Sequence, residues 1–417
     1  PVHRGQPEKG RTMRRLRTTL ALAALVLPGL AAQTFYGDLA LGLGWRQLNG
    51  DYVPPAPEGD LTGYLSADLY AEFREDDAYS FLAAVRMEGP MGSGLDATGN
   101  PAPSPLALSV VQCYLNLPFD PWALSVGKRY REIGWTELFN VANLVTPRAF
   151  DAYDYRRNPP AQLDLGVALG TVWLSGLAWF TDAASWEDVS WLLSAQVVDG
   201  ALAAEAGVYA TATGDWHAYA SGRANLGALS LVAEGILDGQ AVQDRVASFS
   251  ETSVDYASPP DGLAYSVVLG LALETGGQDI QLEYLHRSQG YTDAEADTFI
   301  DAARTLTDPA VLASHLSHYS RFAFRKDYLG FSWAWHSFLH PDLTLGMDAA
   351  LSLPDIWAAA ADWGGLSCLL SAGLDWQVIQ AFVLSLDAGW TLGGSFGEFS
   401  SFTAERALVT LSGRLSF

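Results

Sequence analysis

The chain is short of cysteine, of basic residues and of long apolar runs, and each shortage removes a class of protein. Its two cysteines, Cys113 and Cys368, lie far apart inside strand-like stretches. Neither a disulfide framework nor a zinc site fits that count. Lys and Arg number 24 against 47 Asp and Glu, a net charge of −23. Phosphate backbones are held by basic surfaces, so nucleic acid is not an expected partner. Charged residues make up only 17% and hydrophobic residues 49%, which is a folded composition rather than a disordered one. The mean hydropathy of +0.10 is high for a soluble acidic protein. It is low for a helical bundle, whose spans each need roughly 20 consecutive apolar residues. It suits a barrel wall in which every second residue is polar.

The one targeting signal lies near the start. Arg14, Arg15 and Arg17 precede an apolar run at 20–27, followed by Pro28, Gly29, Ala31 and Ala32. This predicts a secretory signal peptide at 13–32, cleaved after Ala31 or Ala32, with residues 1–12 an upstream extension and 33–417 the barrel. The competing reading, an uncleaved anchor helix, is disfavoured by the shortness of the run. Removing 1–32 takes away six basic residues and Glu8, leaving 18 basic against 46 acidic residues and a net −28.

Periodicity decides the fold class. In 61–74, LTGYLSADLYAEFR, the row Leu61, Gly63, Leu65, Ala67, Leu69, Ala71, Phe73 alternates with Thr62, Tyr64, Ser66, Asp68, Tyr70, Glu72, Arg74. A helix would scatter those apolar residues around its circumference, whereas a strand puts them on one face. The pattern recurs near 35–47, 60–74, 78–88, 106–117, 122–130, 161–170, 171–180, 189–198, 201–211, 216–224, 228–238, 262–274, 279–288, 319–337, 342–353, 364–375, 379–391 and 403–417. We therefore predict an all-β protein, a closed antiparallel transmembrane barrel of about 18 strands. Sixteen is the alternative if 161–180 is not divided at Gly170. That segment could also be read as a membrane helix, but its glycines at 166, 170 and 176 and its β-branched residues favour two short strands.

The links alternate in length. Those at 48–59, 89–105, 131–160, 181–188, 239–261, 289–318, 354–363 and 392–402 are long, and those between them are tight, with Gly214-Asp215 a short exception on the long side. Such sorting is what short periplasmic turns and longer external loops produce. Trp45, Tyr79, Trp122, Trp173, Trp179, Trp191, Trp216, Trp333, Trp335 and Trp390 stand in or at the ends of strands, as interfacial girdles do. The terminal row Ala407, Val409, Leu411, Gly413, Leu415, Phe417 resembles the C-terminal assembly signal of outer-membrane barrels, and that resemblance implies Leu411, Leu415 and Phe417 as the residues read. Arg406, Thr410, Ser412, Arg414 and Ser416 then face the lumen.

The segment 126–160 carries Lys128, Arg129, Arg131, Arg148, Arg156 and Arg157 in an otherwise acidic chain. It resembles porin-type outer-membrane barrels whose third external loop folds inward. Gly127-Lys128, Gly134-Trp135, Asn143 and Pro147 occupy the places of a loop pattern seen in some of them, with the Gly-Trp order reversed and Arg148 where that pattern has Asp. The resemblance implies a constriction made by the third loop, 131–160. Lys128, Arg129, Arg131 and Arg148 would lie opposite Asp68 and Glu72, setting a transverse field. The plainer alternative has the arginines pairing with Glu132, Glu137, Asp151 and Asp154 to pin a surface loop.

The function expected is passive diffusion of small hydrophilic solutes across an outer membrane. A structural or adhesive barrel is the alternative, as is a transporter of hydrophobic solutes resembling fatty-acid importers. Tyr64, Tyr70, Gln112, Tyr114, Asn116, Gln162, Asp164 and His336 on the inferred inner rows favour a wet lumen. His315 and His318 near Ser314, Ser317 and Ser320 show no supporting Asp, so catalysis is not expected, nor a metal or cofactor. Expected partners are the bilayer, lipopolysaccharide or another outer-leaflet lipid, the barrel-assembly machinery and other copies of the chain.

Overall fold

The computed structural model describes residues 32–50, 61–75, 78–90, 93–95, 101–103, 107–145, 159–180, 188–212, 214–239, 243–258, 263–357, 363–403 and 405–417. The upstream extension and the expected signal peptide lie outside them, except for Ala32, which opens the first strand.

Eighteen strands form one sheet. They are β1 (Ala32–Leu48), β2 (Leu61–Glu75), β3 (Tyr79–Pro90), β4 (Ala107–Phe119), β5 (Trp122–Lys128), β6 (Ala161–Leu169), β7 (Val172–Phe180), β8 (Val189–Asp199), β9 (Leu202–Ala210), β10 (Trp216–Leu226), β11 (Leu229–Asp238), β12 (Ala264–Thr275), β13 (Gln278–Arg287), β14 (Asp327–His336), β15 (Leu343–Leu353), β16 (Ser367–Ile379), β17 (Phe382–Gly393) and β18 (Glu405–Ser416). Each pairs antiparallel with its chain neighbours, and β18 returns to β1 from Ser416↔Asp38 to Glu405↔Leu48. The wall therefore has no edge, and its peptide groups are satisfied within it, the condition for crossing hydrocarbon.

Period-two patterning sorts the side chains. Leu39, Leu41 and Leu43 of β1 and Leu193 and Val197 of β8 stand exposed on the outside. Inside, Asp68 of β2 faces Arg86 of β3. The predicted division of 161–180 is real: Gly170 turns the chain at φ +65°, the left-handed backbone that a two-residue hairpin needs and glycine supplies. Trp45, Trp191, Trp216 and Trp390 lie exposed near the loop end of their strands, and Trp122 and Trp376 near the turn end. They make two outward belts. Trp173 and Trp179 depart from the expected girdle. Their register with Gln162, Asp164's row and Ser175 turns them inward, and Trp179 is buried against Tyr209.

The long links are not structureless. The predicted strand at 319–337 begins only at Asp327, and the preceding link holds α1 (Asp293–Thr305) and α2 (Pro309–Leu316). Thr292 and Glu295 form a capping box at the start of α1, a Thr-x-x-Glu signal present in the sequence. A hairpin of Arg245–Phe249 with Val254–Ala257, and α3 (Glu398–Phe402), complete the loop end.

Candidate functional site: a segment laid across the lumen

After β5 the chain turns inward instead of away. Gly127 at φ +128° bends the strand end, and a Cβ there would lie 2.2 Å from the Cys113 carbonyl. Residues 129–145 then run along the inner faces of β6 to β14, held chiefly through their own backbone.

Three inward carboxylates of the acidic wall receive that backbone. Glu205 of β9 accepts from Gly134 N at 3.5 Å and Tyr219 OH at 2.7 Å. Glu234 of β11 accepts from Trp135 N at 3.1 Å and Ala142 N at 2.7 Å. Glu283 of β13 accepts from the successive N–H groups of Glu137, Leu138 and Phe139 at 2.8, 3.1 and 2.8 Å. Charge-assisted bonds of this kind are the stronger ones. Gly134 takes φ +85°, backbone that favours glycine, and a Cβ there would come within 2.0 Å of Glu234 Oε2. Asn140 and Asn143 fold the segment on itself by donating to the Ile133 and Arg131 carbonyls at 2.8 Å each.

Apolar contacts flank these bonds on both sides. Ile133, Ala142 and Val145 pack on Leu177, Leu192, Tyr209, Tyr219 and Ile236. Phe139 packs on Val268, Leu285, Tyr328 and Ala350 and also meets Phe322 and Phe399 from two external links. The inward-folded segment and the external loops thus share one hydrophobic cluster.

The basic residues separate. Arg131 Nη1 donates to Asp164 at 3.0 Å and Nη2 to Ser175 Oγ at 3.4 Å. Arg129 donates to Ser125 Oγ at 2.7 Å, lies 3.7 Å from Asp164 and stands over the Tyr114 ring. Glu132 and Glu137 are exposed, and the pairing of Arg129 and Arg131 is with Asp164. Lys128 is a correction to the expected ring. Its register with Cys113 and Ala161 places it in the outward row, where its ammonium donates to the Val110 carbonyl at 2.5 Å. Asp68 is engaged twice by Arg86, at 2.7 and 3.0 Å, whereas Glu72 lines a cavity of about 470 Å³ together with Arg74, Asn116, Arg129, Arg131 and Asp164. Arg148, Arg156 and Arg157 lie outside the described residues. Glu205, Glu234 and Glu283 went unremarked in the sequence. Strand parity turns them inward, but parity does not announce that a loop backbone is their partner.

At the loop end, α1, α2 and the hairpin are stitched by Tyr291, Phe299, Phe324 and Phe402. His315 is buried there, with Nε2 3.0 Å from the Phe299 carbonyl and Nδ1 2.5 Å from Tyr256 OH. A carbonyl only accepts, so Nε2 carries the proton and Nδ1 accepts from the tyrosine. Among the described residues no cluster of His, Cys, Asp and Glu suits a metal ion. Glu398 is buried and accepts from Tyr328 OH at 2.9 Å and Ser352 Oγ at 2.8 Å.

Burial pushes the His315 imidazole below its ordinary value and the Glu398 carboxyl above its own. His315 therefore contributes stability above the ordinary imidazole value, lost as pH falls through its depressed one. Glu398 contributes below the ordinary carboxylate value and loses that as pH rises through its raised one. The protection factors of the α1 amides, exchange rates taken relative to the base-catalysed intrinsic rate at each pH, should accordingly fall on acidification through His315 titration and on alkalisation through Glu398. E398Q should remove the alkaline limb alone; an unchanged limb in E398Q refutes the assignment.

No sequence-family model and no characterised protein matches the chain by sequence. Solved structures do match in shape. Acinetobacter baumannii OccAB1 has a TM-score of 0.57 at 11% identity, covering 92% of this chain and 96% of that one. Pseudomonas aeruginosa OccK9 (OpdG) has 0.55 at 12%, covering 92% and 98%. P. aeruginosa OpdK, solved with vanillate, has 0.53 at 11%, again 92% and 98%. The chain has the fold of the outer-membrane porins. In that fold the outward apolar rows and Trp belts meet lipid, the tight turns face the periplasm and the long links face outside. The alternation of link lengths agrees, with the short 211–215 link on the external side its exception.

Proposed function

We propose that the protein is a passive channel for small hydrophilic solutes, narrowed by the inward-folded third external loop, 131–160. The observation that carries this is the seating of residues 134–142 on Glu205, Glu234 and Glu283, which holds a backbone across the lumen while leaving a cavity lined by Glu72, Arg129, Arg131 and Asp164. Solutes pass between a paired arginine shelf and carboxylates, so charge selects among them. The polar inner rows disfavour a carrier of hydrophobic solutes.

The decisive test is single-channel recording of the full chain in planar bilayers. We expect ohmic openings whose reversal potential under a salt gradient moves toward cation preference when Arg129 and Arg131 are both replaced by Gln. An unchanged reversal potential refutes the role of the arginines, and silence of the folded barrel refutes the channel. The second reading, a barrel closed at rest or serving as a structural or adhesive element, is favoured by the Phe139–Phe322–Phe399 contact. The outward row Leu411, Leu415 and Phe417 lies exposed at or beside the seam where β18 meets β1, which suits recognition by the assembly machinery. The outer wall suits lipopolysaccharide and neighbouring copies.

A further inference from the structure

The outward row of β12 and β13 is apolar through Leu269, Leu271, Ile280 and Leu282, then turns polar at the external end. Leu285 and Tyr328 pack inward against Phe139, so their neighbours His286 on β13 and Asp327 on β14, paired in register, lie on the outer face. Asp327 is nonetheless fully buried. Its Oδ1 accepts from the Tyr284 hydroxyl and from His286 Nδ1, the latter at 2.8 Å, and Trp357 Nε1 donates to the Tyr284 oxygen at 3.0 Å. Its Oδ2 has no hydrogen-bond partner among the described residues. A carboxylate buried on a wall that meets lipid costs stability, and an apolar residue would serve the wall better.

What that carboxylate does is fix an imidazole. It only accepts, so His286 Nδ1 carries the proton and Nε2 presents its lone pair. Ser288 follows two residues on, on the same face, its N–H and Oγ both engaged by the Tyr265 backbone at 2.9 Å. Oγ is the acceptor in that bond. Among the described residues nothing takes the Ser288 hydroxyl proton and nothing donates to His286 Nε2. Alternate residues of a strand lie roughly 6.5 Å apart, a span that an imidazole and one hydrogen bond close. No bond joins Nε2 and Oγ in this state; catalytic bonds of this kind commonly tighten only around substrate. The exposed rings of Tyr265 and Trp357 have centroids 5.9 and 6.5 Å from the imidazole and give the site an apolar approach.

We infer that Ser288, His286 and Asp327 form an acyl-ester hydrolase site on the outer wall, acting on lipids of the outer leaflet. Place selects the substrate, because the carbonyls that meet an outward site at the external aromatic belt are the ester groups at the head of acyl chains. Ser288 Oγ adds to the ester carbonyl while His286 Nε2 takes its proton. The tetrahedral adduct expels the lipid alcohol, which receives that proton, and the acyl group stays on Oγ. Water, deprotonated by the same Nε2, then attacks the acyl carbonyl, releases the fatty acid and restores the serine. Asp327 and Tyr284 are positioning residues that hold the imidazole in the productive tautomer. The site takes nothing from the lumen, so it stands or falls independently of conductance.

The test uses the full-length, detergent-purified protein with mixed micelles of a diacyl phosphatidylethanolamine, measuring released fatty acid, and with a fluorophosphonate probe, measuring covalent labelling. Wild type should release fatty acid and take up the probe on Ser288, located by peptide mass. S288A and H286N should each fall to the background rate. D327N should lower kcat roughly 10³- to 10⁴-fold, as loss of the oriented tautomer does, with KM little changed. A merely structural role for Asp327 would not split the two constants in that way. Heat-modifiable migration on gels establishes that each variant is folded. Absence of both hydrolysis and labelling in folded wild type overturns the site. Hydrolysis retained by S288A overturns the nucleophile, and a wild-type kcat in folded D327N overturns the role of the carboxylate.

Discussion

Replacing Glu283 by alanine is expected to release the tip of the inward-folded segment and raise single-channel conductance and current noise together. Glu283 is buried and its two oxygens receive three consecutive backbone N–H groups, with Gln281 Nε2 a fourth donor at 2.9 Å. Each bond to a charged acceptor is worth about 1.5–3 kcal/mol, so the docking of residues 137–139 should weaken by roughly 5 kcal/mol before any partial recovery by water. Phe139 then loses the anchor that holds it against Leu285 and Tyr328, and its apolar contacts alone must fix the tip. E283Q should fall between wild type and the alanine variant, because its amide oxygen can still accept from Leu138 and Phe139 while its NH2 group faces the Glu137 N–H, another donor. Glu274, inward on β12 but exposed near the turn end, supplies the control: E274Q should leave both quantities near wild type. If E283A and wild type show the same conductance and noise, the segment is not held by this carboxylate and the constriction it forms is of another kind.

The wall of the barrel was legible because period-two patterning, tight glycine turns and sorted link lengths are each enforced by the bilayer. Leu61 to Arg74 could alternate only if one face met lipid, and the observed β2 spans that stretch. Gly170, Gly200 and Gly227 mark hairpins that the sequence alone could place, since their left-handed backbone excludes most other residues. The lumen was less legible. Trp173 and Trp179 look like girdle residues by type and by position along the strand, and only their register shows that they face inward. Lys128 illustrates the converse: counted with the arginines by charge, it falls one residue short of them and therefore on the opposite face. The contacts of 129–145 were hidden for a deeper reason. They are made by backbone N–H groups, which every residue carries, so no side-chain pattern in the loop reports them. What the sequence does show is their counterpart, three glutamates on inner rows of β9, β11 and β13 without basic partners nearby in the chain. An unbalanced inward carboxylate is a request for a donor, and a loop backbone is one of the few donors available there. The helices α1 and α2 are the other feature the strand pattern hides, since the Thr292–Glu295 box is a local signal inside a long link between two strands.

The external cap should fail, with the barrel beneath it intact, when Arg325 is replaced by methionine. Arg325 is 1% exposed, and its guanidinium ties together three separate links. Nη1 donates to Asp293 Oδ1 at 2.6 Å at the start of α1, Nη2 donates to the Phe396 carbonyl at 2.9 Å, and Asp297 lies 3.8 Å away. The third link approaches through Gly365, where any Cβ would lie 2.7–2.9 Å from the guanidinium atoms. Methionine matches much of the volume but leaves Asp293 without its charge partner. Removing one member of a buried ion pair typically costs about 3–5 kcal/mol. That exceeds what the short helix α1 could recover from its capping box, worth about 1 kcal/mol. Lysine should not rescue, since a single ammonium cannot reach Asp293 and the Phe396 carbonyl in the geometry of a planar fork. The cost falls mainly on the cap because the ladder bonds of the closed sheet run from strand to strand, and only its rim is bonded to these links, as where Arg287 N donates to the Lys326 carbonyl at 2.7 Å. Hydrogen exchange on the purified protein should therefore show the amides of 293–305 losing protection in R325M while those of β1, β2 and β18 keep theirs. Retained protection across 293–305 would show that the aromatic cluster of Tyr291, Phe299, Phe324 and Phe402 holds the cap without the arginine, and would place the hinge of the external loops elsewhere.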